Sequence, residues 1–179
     1  MPFYPNILKV VLFGPQNTGK TTLCEALAKH YNTTYAQEFS RQYAKEHNVL
    51  DETTILPIAK GQLELENKAI TKAKRLVFFD TNLLETKVYA QLYYNKTEPE
   101  LETLLSQRIY DLYLLPEVKT PWLNDGIRDL PNHRNEHYNI FKSVLGQKKA
   151  DFCELFGSFS SRFAQAKQII DKKLNQREL

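Results

Sequence analysis

Gly14-Pro15-Gln16-Asn17-Thr18-Gly19-Lys20-Thr21 lies between two segments of different periodicity. Before it, Lys9-Val10-Val11-Leu12-Phe13 is a short apolar run stopped by Gly14, which reads as a buried strand. After it, Lys20 to Tyr31 carries Leu23, Leu27 and Tyr31 at helical spacing. The octapeptide fits G-x-x-x-x-G-K-[ST], a loop that binds phosphate where a strand turns into a helix. Glycines let backbone amides converge on phosphate oxygens, and the helix N-terminus adds partial positive charge. Lys20 supplies a compact cation for β- and γ-phosphates, and Thr21 a hydroxyl for Mg²⁺. Gly14, Asn17, Thr18, Gly19, Lys20, Thr21 and Thr22 form the expected nucleotide-binding set.

Outward from this loop, strands and helices alternate. Tyr35 to Glu38 reads as a short strand, followed by helices over 40–47 and 54–74. Ile55, Ile58, Gln62, Leu65 and Ala69 lie along one side of the longer helix, and Pro57 fits its first turn. Arg75-Leu76-Val77-Phe78-Phe79-Asp80 is a strand ending in an acid. Asn82 and Glu85 have the spacing of a capping box for a helix to about Tyr94. A helix over 98–108, a strand over 110–115, a helix over 135–145 and a strand over 151–156 follow. In the final helix Phe159, Phe163, Ala166 and Ile170 form an apolar stripe expected to be core. Nearly all of the six glycines are expected where a strand ends. The pattern predicts a three-layer α/β P-loop fold, with a mostly parallel sheet of about five strands and helices on both faces.

The 179 residues suit a single domain spanning 1–179. Twenty-four basic against 21 acidic residues leave a net +3, too little to argue for a nucleic acid partner. No apolar run approaches the roughly 18 residues of a membrane span, and Met-Pro-Phe-Tyr-Pro lacks the features of a signal peptide. Cys24 and Cys153, each in an apolar stretch, read as small core residues, with no zinc spacing among the cysteines and histidines. A cytoplasmic location is expected.

Asp80, across from Thr21 in such a fold, is placed to hold Mg²⁺ or to accept a substrate proton. Glu38 and Arg41 follow the second strand, whose C-terminal end faces the same crevice. Glu38 is a candidate base or a ligand for sugar hydroxyls, and Arg41 a candidate for an anionic group. Residues 116–135 hold three of the eight prolines and read as a long lid loop. In it Trp122, beside Asp125, offers a stacking surface for a flat ligand. Arg128 and Arg134 are candidate lid cations that close on the transferring phosphoryl group. Gly157-Ser158, after the last strand, is a candidate adenine-side loop.

With these residues in view, the chain resembles the NadR-type ribosylnicotinamide kinase domains. The likeness covers nearly the whole chain. It rests on Gly14 to Thr22, Glu38-Phe39-Ser40-Arg41, Phe79-Asp80-Thr81-Asn82-Leu83 and Thr86-Lys87-Val88-Tyr89. It continues in Tyr110 to Leu115 and Pro121-Trp122-Leu123-Asn124-Asp125-Gly126-Ile127-Arg128. The P-loop is shared by very many proteins; the Pro121 to Arg128 block joined to the Asp80 block discriminates better. The resemblance implies ATP-dependent phosphorylation of the ribose 5′-hydroxyl of nicotinamide riboside, with Mg²⁺. In it Gly19, Lys20 and Thr21 serve the phosphates and metal, and Asp80 lies near the metal and the acceptor hydroxyl with Glu38 a rival base. Trp122 and Asp125 contact the nucleoside, and Arg128 closes on the phosphates. Family members also occur fused to an adenylyltransferase domain. Fewer than ten residues precede the first strand here, so a product no further than the mononucleotide is expected.

Three other readings share parts of this pattern. A kinase for another nucleoside or a nucleoside monophosphate has the same fold and most of the site. A GTPase would use Asn95-Lys96-Thr97-Glu98, which imitates Asn-Lys-x-Asp but ends in Glu and follows a helix, so it reads as coincidence. An ATP-binding regulatory module would bind nucleotide without an acceptor, with Trp122 as a protein contact.

Overall fold

The computed structural model describes residues 7–48, 50–119 and 133–177. Five strands form one sheet: β1 (Leu8–Leu12), β2 (Tyr35–Ala36), β3 (Leu76–Asp80), β4 (Leu112–Pro116) and β5 (Phe152–Leu155). All pairings are parallel, in the order β2-β3-β1-β4-β5. The helices are α1 (Lys20–His30), α2 (Phe39–His47), α3 (Ile55–Lys72), α4 (Leu83–Tyr94), α5 (Pro99–Ser106), α6 (Arg134–Gln147) and α7 (Phe159–Gln176).

Alternation along the strands builds two cores. Leu8, Val10 and Leu12 of β1 face α1 and α7 together with Phe78, Leu114 and Ile170. Val11 and Phe13 face the opposite layer of α3, α4, α5 and α6, with Phe79, Leu115 and Phe141. A two-residue repeat with both faces apolar is what covered parallel strands require. The three-layer α/β expectation holds. Burial of Phe13, Phe78, Phe79 and Phe141, each under 2% exposed, supplies on the order of 2–3 kcal/mol per side chain.

The chain leaves β1 toward β2 on one side and later crosses to β4 on the other. The C-terminal ends of β1, β3 and β4 therefore surround a switch point, where open α/β sheets bind ligands. Thr81 N–H donates to Leu12 C=O at 3.1 Å and Phe13 N–H to Leu114 C=O at 2.9 Å, fastening these ends together.

Several local expectations are corrected. Phe159 is 49% exposed, and its place in the inward stripe of α7 is taken by buried Arg162, whose guanidinium finds polar partners at the end of the sheet. Leu65 of α3 is partly buried against the core as expected, and Glu66 beside it is buried as well. The strand expected over 110–115 runs instead over Leu112–Pro116, with proline tolerated at its last position. Asn82 caps α4 by accepting from the Leu84 and Glu85 amides, but no reciprocal bond from the Glu85 side chain completes a capping box. Gly61 and Gly146 lie inside helices; a Cβ on Gly61 would stand 2.1 Å from the Phe39 ring, so glycine there admits the close approach of α2.

No helix among the described residues is long and apolar enough to cross a membrane.

Candidate active site

The loop between β1 and α1 takes the shape a phosphate cradle needs. Gly14 has φ 137°, Asn17 φ 58° and Gly19 φ 81°, conformations that glycine adopts freely and Asn tolerates. Gly19 precedes α1, so the first-turn amides of Lys20 and Thr21 open toward the loop. The buried Thr18 hydroxyl donates to Pro15 C=O at 3.0 Å, and Gln16 N–H donates to the Tyr89 hydroxyl at 3.1 Å. Two arginines hold the loop from behind. Arg162 of α7 donates to Thr18 C=O at 2.8 Å, and Arg134, the first residue of α6, donates to Asn17 C=O at 2.7 Å. Thr22 is exposed on the first turn of α1.

Lys20 is buried. Its ammonium donates to Gly14 C=O at 2.6 Å and Pro15 C=O at 2.9 Å, and lies 3.5 Å from a carboxylate oxygen of Glu85. Glu85 stands in the first turn of α4, fully enclosed; burial pushes its carboxyl up to about 8 although Lys20 pulls the other way. Its second oxygen has no hydrogen-bond partner.

Asp80 ends β3 and accepts a 2.7 Å hydrogen bond from the Thr21 hydroxyl, joining strand end and P-loop helix as the sequence predicts. Its other oxygen is buried without a partner. Burial and the nearby Glu38 charge raise its carboxyl to about 6, against the opposing pull of Thr21, Lys20 and Arg41. The next residue, Thr81, has φ 70°, an outlier for a β-branched side chain that costs on the order of 1–3 kcal/mol. That turn carries the chain from Asp80 directly into the Asn82 cap of α4.

Glu38 begins α2, where it accepts from the Ser40 hydroxyl at 2.9 Å and from the Arg41 guanidinium at 2.8 Å. Arg41 is thus the counter-ion of Glu38. The start of α2 is fixed by Gln62 of α3, whose side-chain oxygen accepts from Phe39 N–H at 2.9 Å. Beside the P-loop these helices enclose a cleft of about 170 Å³ lined by Glu38, Asp51, Thr81, Glu85 and a wall of tyrosines, Tyr89, Tyr93 and Tyr94. The Tyr89 and Tyr93 rings are stacked at 5.6 Å and 18°.

At the other side of the loop, Gly157 has φ 87° and its N–H donates to Glu117 at 2.5 Å; that bond first, then Lys119, holds the Glu117 carboxyl low. Ser158 caps α7 by accepting from Ser161 N–H at 3.2 Å. Trp122, Asp125 and Arg128 lie outside the described residues, as does most of the expected lid over 116–135.

Sequence reading therefore joined Lys20, Thr21, Asp80, Glu38 and Arg41 in one neighbourhood, and the structure brings them together. It missed Glu85, Arg162, Glu117 and Gln62. A signal existed only for Glu85, which follows Asp80 by five residues across a helix cap. No group of three or more His, Cys, Asp or Glu residues arranged for a metal occurs among the described residues. A P-loop cation needs none, since phosphate and water supply most of its ligands.

Residues 9–162 match the AAA_28 family, described as an AAA domain. The chain is 28% identical over 183 residues to the trifunctional NAD biosynthesis/regulator protein NadR of Escherichia coli (strain K12). That match covers 98% of this chain and 44% of NadR, so the chain spans less than half of that relative. A crystal structure of NadR protein in complex with NR superposes with a TM-score of 0.81 at 22% identity, over 93% of this chain and 51% of that one. Deoxyadenosine kinase from M. mycoides, with products dcmp and dcdp bound, gives a TM-score of 0.65 at 15% identity, over 94% of this chain and 100% of that one.

Proposed function

The chain belongs to the AAA_28 family of AAA domains, and on that premise we propose that it is an ATP-dependent kinase that phosphorylates the ribose 5′-hydroxyl of nicotinamide riboside, giving nicotinamide mononucleotide. The observation that carries this reading is the cleft of tyrosines and carboxylates that opens beside the Lys20–Thr21–Asp80 cluster. A flat ring of positive charge suits such a lining twice over. Tyrosine faces attract cations, and Glu38 and Asp51 add negative potential. The pyridinium of nicotinamide riboside is a ring of this kind, whereas uridine and thymidine are neutral. The NadR likeness points the same way.

Each residue then has a task. The amides of the 14–19 loop and the Lys20 ammonium hold the β- and γ-phosphates of ATP, Lys20 exchanging its bonds to Gly14 and Pro15 for phosphate oxygens. Mg²⁺ fits the Thr21–Asp80 pair, because Asp80 keeps a buried oxygen that lacks a partner beside the Thr21 hydroxyl. When bound, that ion neutralises charge on the phosphates. Glu38 lines the cleft and Asp80 does not, so Glu38 takes the 5′-hydroxyl proton while Asp80 serves the metal. Arg41 orients Glu38. Arg134 and Arg162 keep the loop in its binding shape through its carbonyls. Trp122 and Asp125 contact the nucleoside and Arg128 closes on the transferring group, roles that rest on the sequence resemblance, and Gly157-Ser158 flanks the adenine by its place after the last strand.

The test is formation of nicotinamide mononucleotide from ATP·Mg²⁺ and nicotinamide riboside, followed by chromatography beside a reaction lacking acceptor. Mononucleotide appearing in step with ADP supports the proposal; ADP appearing at the same rate without acceptor refutes it.

A further inference from the structure

Glu85 is the charged group least explained by the P-loop itself. It is 4% exposed, stands between Lys20 and the cleft, and contributes to the cleft lining. It makes no capping bond to its own helix; Asn82 alone accepts the first-turn amides. One oxygen of this buried carboxyl has no hydrogen-bond partner, a cost an apolar residue at this position would not carry. The groups facing it come from three elements: Lys20 from α1, Asp80 from β3 and Glu38 from the start of α2. Only Lys20 is an attractive partner among these, and Lys20 is also the residue that phosphate must recruit.

Resting on the kinase reading above, we propose that Glu85 couples the two substrate sites: its carboxylate pairs with Lys20 and receives a hydrogen bond from a ribose hydroxyl of the acceptor nucleoside. While the acceptor is absent, the carboxylate competes with the phosphates for the Lys20 charge. A donor from the ribose satisfies the carboxylate and lowers that competition, so acceptor and nucleotide each tighten the other. Linkage requires the two effects to be equal in size. Glu85 is in this sense a positioning residue for Lys20 and a binding residue for the acceptor.

The experiment measures, at about pH 9 where Glu85 is ionised, the dissociation constant of a non-hydrolysable ATP analogue with Mg²⁺, with and without saturating nicotinamide riboside, in the wild-type chain and in Glu85→Gln. Steady-state phosphorylation of nicotinamide riboside is recorded in parallel. The wild type is expected to bind the analogue several-fold more tightly when the acceptor is present. Glu85→Gln should lose that coupling, raise KM for the riboside roughly ten- to a hundredfold, and bind the analogue alone at least as tightly as wild type. A merely structural residue would move neither the coupling nor the split between the two affinities. Glu85→Asp, which withdraws the carboxylate by one methylene, decides the matter if the glutamine variant does not fold, and should also raise the riboside KM. Wild-type turnover without any coupling, or a folded variant with unchanged riboside KM, overturns the proposal. Absence of phosphoryl transfer in the wild type overturns the kinase reading beneath it.

Discussion

Replacing Glu66 by Gln should make the protein more stable at alkaline pH and leave it nearly unchanged in acid. Glu66 is fully buried in α3, where one oxygen accepts from the Tyr110 hydroxyl at 2.8 Å and the other has no partner. Burial raises its carboxyl to about 7, outweighing Tyr110, Arg108, Gln62 and Lys9, all of which favour the charged form. In the unfolded chain the same group titrates near its ordinary value of 4.5. The folded state therefore keeps a proton that the unfolded state has already released. Stability is fullest below the unfolded value and declines as pH rises toward about 7, beyond which the penalty is complete. A shift of that size corresponds to roughly 3 kcal/mol, most of it lost between about pH 4.5 and pH 7. Asp80 and Glu85 are raised too, so the wild-type curve alone would mix three groups. The difference between Glu66→Gln and wild type isolates one, because glutamine keeps an acceptor for Tyr110 and cannot ionise. Urea unfolding of both proteins across this pH range gives that difference directly. Two curves that stay parallel from acid to alkaline pH would refute the reasoning, since they would mean that Glu66 ionises in the folded protein as easily as in the unfolded one.

Lys20→Ala should lower phosphoryl transfer by roughly 10²-fold or more while thermal melting stays cooperative, because the ammonium serves phosphate and Glu85, its carboxyl already raised to about 8, stays protonated without it. Glu38→Gln should lower kcat by roughly 10²–10⁴-fold with Mg²⁺ dependence unchanged, whereas Asp80→Asn should raise the Mg²⁺ concentration needed for half-maximal rate. The reverse pattern would exchange their roles. Gly14→Ala places a Cβ 2.9 Å from Leu115 Cδ1 at φ 137°, and a loss of about 1–3 kcal/mol in urea unfolding is expected together with weaker nucleotide binding.

The parts of the site legible in the sequence were those fixed by local pattern and sheet topology. Strand, glycine loop and helix around Gly14 to Thr21 announce themselves by spacing, and an acid closing the β3 run meets Thr21 because β3 pairs beside β1 in register, Leu12 opposite Asp80. Glu38 and Arg41 followed from the same rule, since β2 ends on the same side of the sheet. Residues that act across long separations in the chain were not legible. Arg162 reaches Thr18 from 144 positions away, in a helix whose periodicity suggested an apolar stripe from Phe159 onward. In the structure Phe159 lies exposed and the arginine turns inward, because α7 packs against β5 and α1 lower down, at Ala166 and Ile170. Glu85 carried the spacing of a capping box, and that local explanation concealed its contact with Lys20. Helical spacing places Gln62 on the inward side of α3, but nothing in sequence assigns its amide to the first turn of α2. Tyr93 follows Tyr89 by one helical turn and would pass as ordinary helix surface until the cleft beside it is seen.

The central claim is that the cleft beside Lys20 selects a cationic nucleoside for phosphorylation. The most direct measurement is kcat/KM with ATP·Mg²⁺ for nicotinamide riboside against nicotinic acid riboside, uridine and thymidine, with ATP turnover in the absence of acceptor subtracted. The account predicts a marked preference for nicotinamide riboside over every neutral or carboxylate-bearing acceptor. Equal or faster turnover of uridine or thymidine would contradict the charge argument drawn from Glu38, Asp51 and the tyrosine wall.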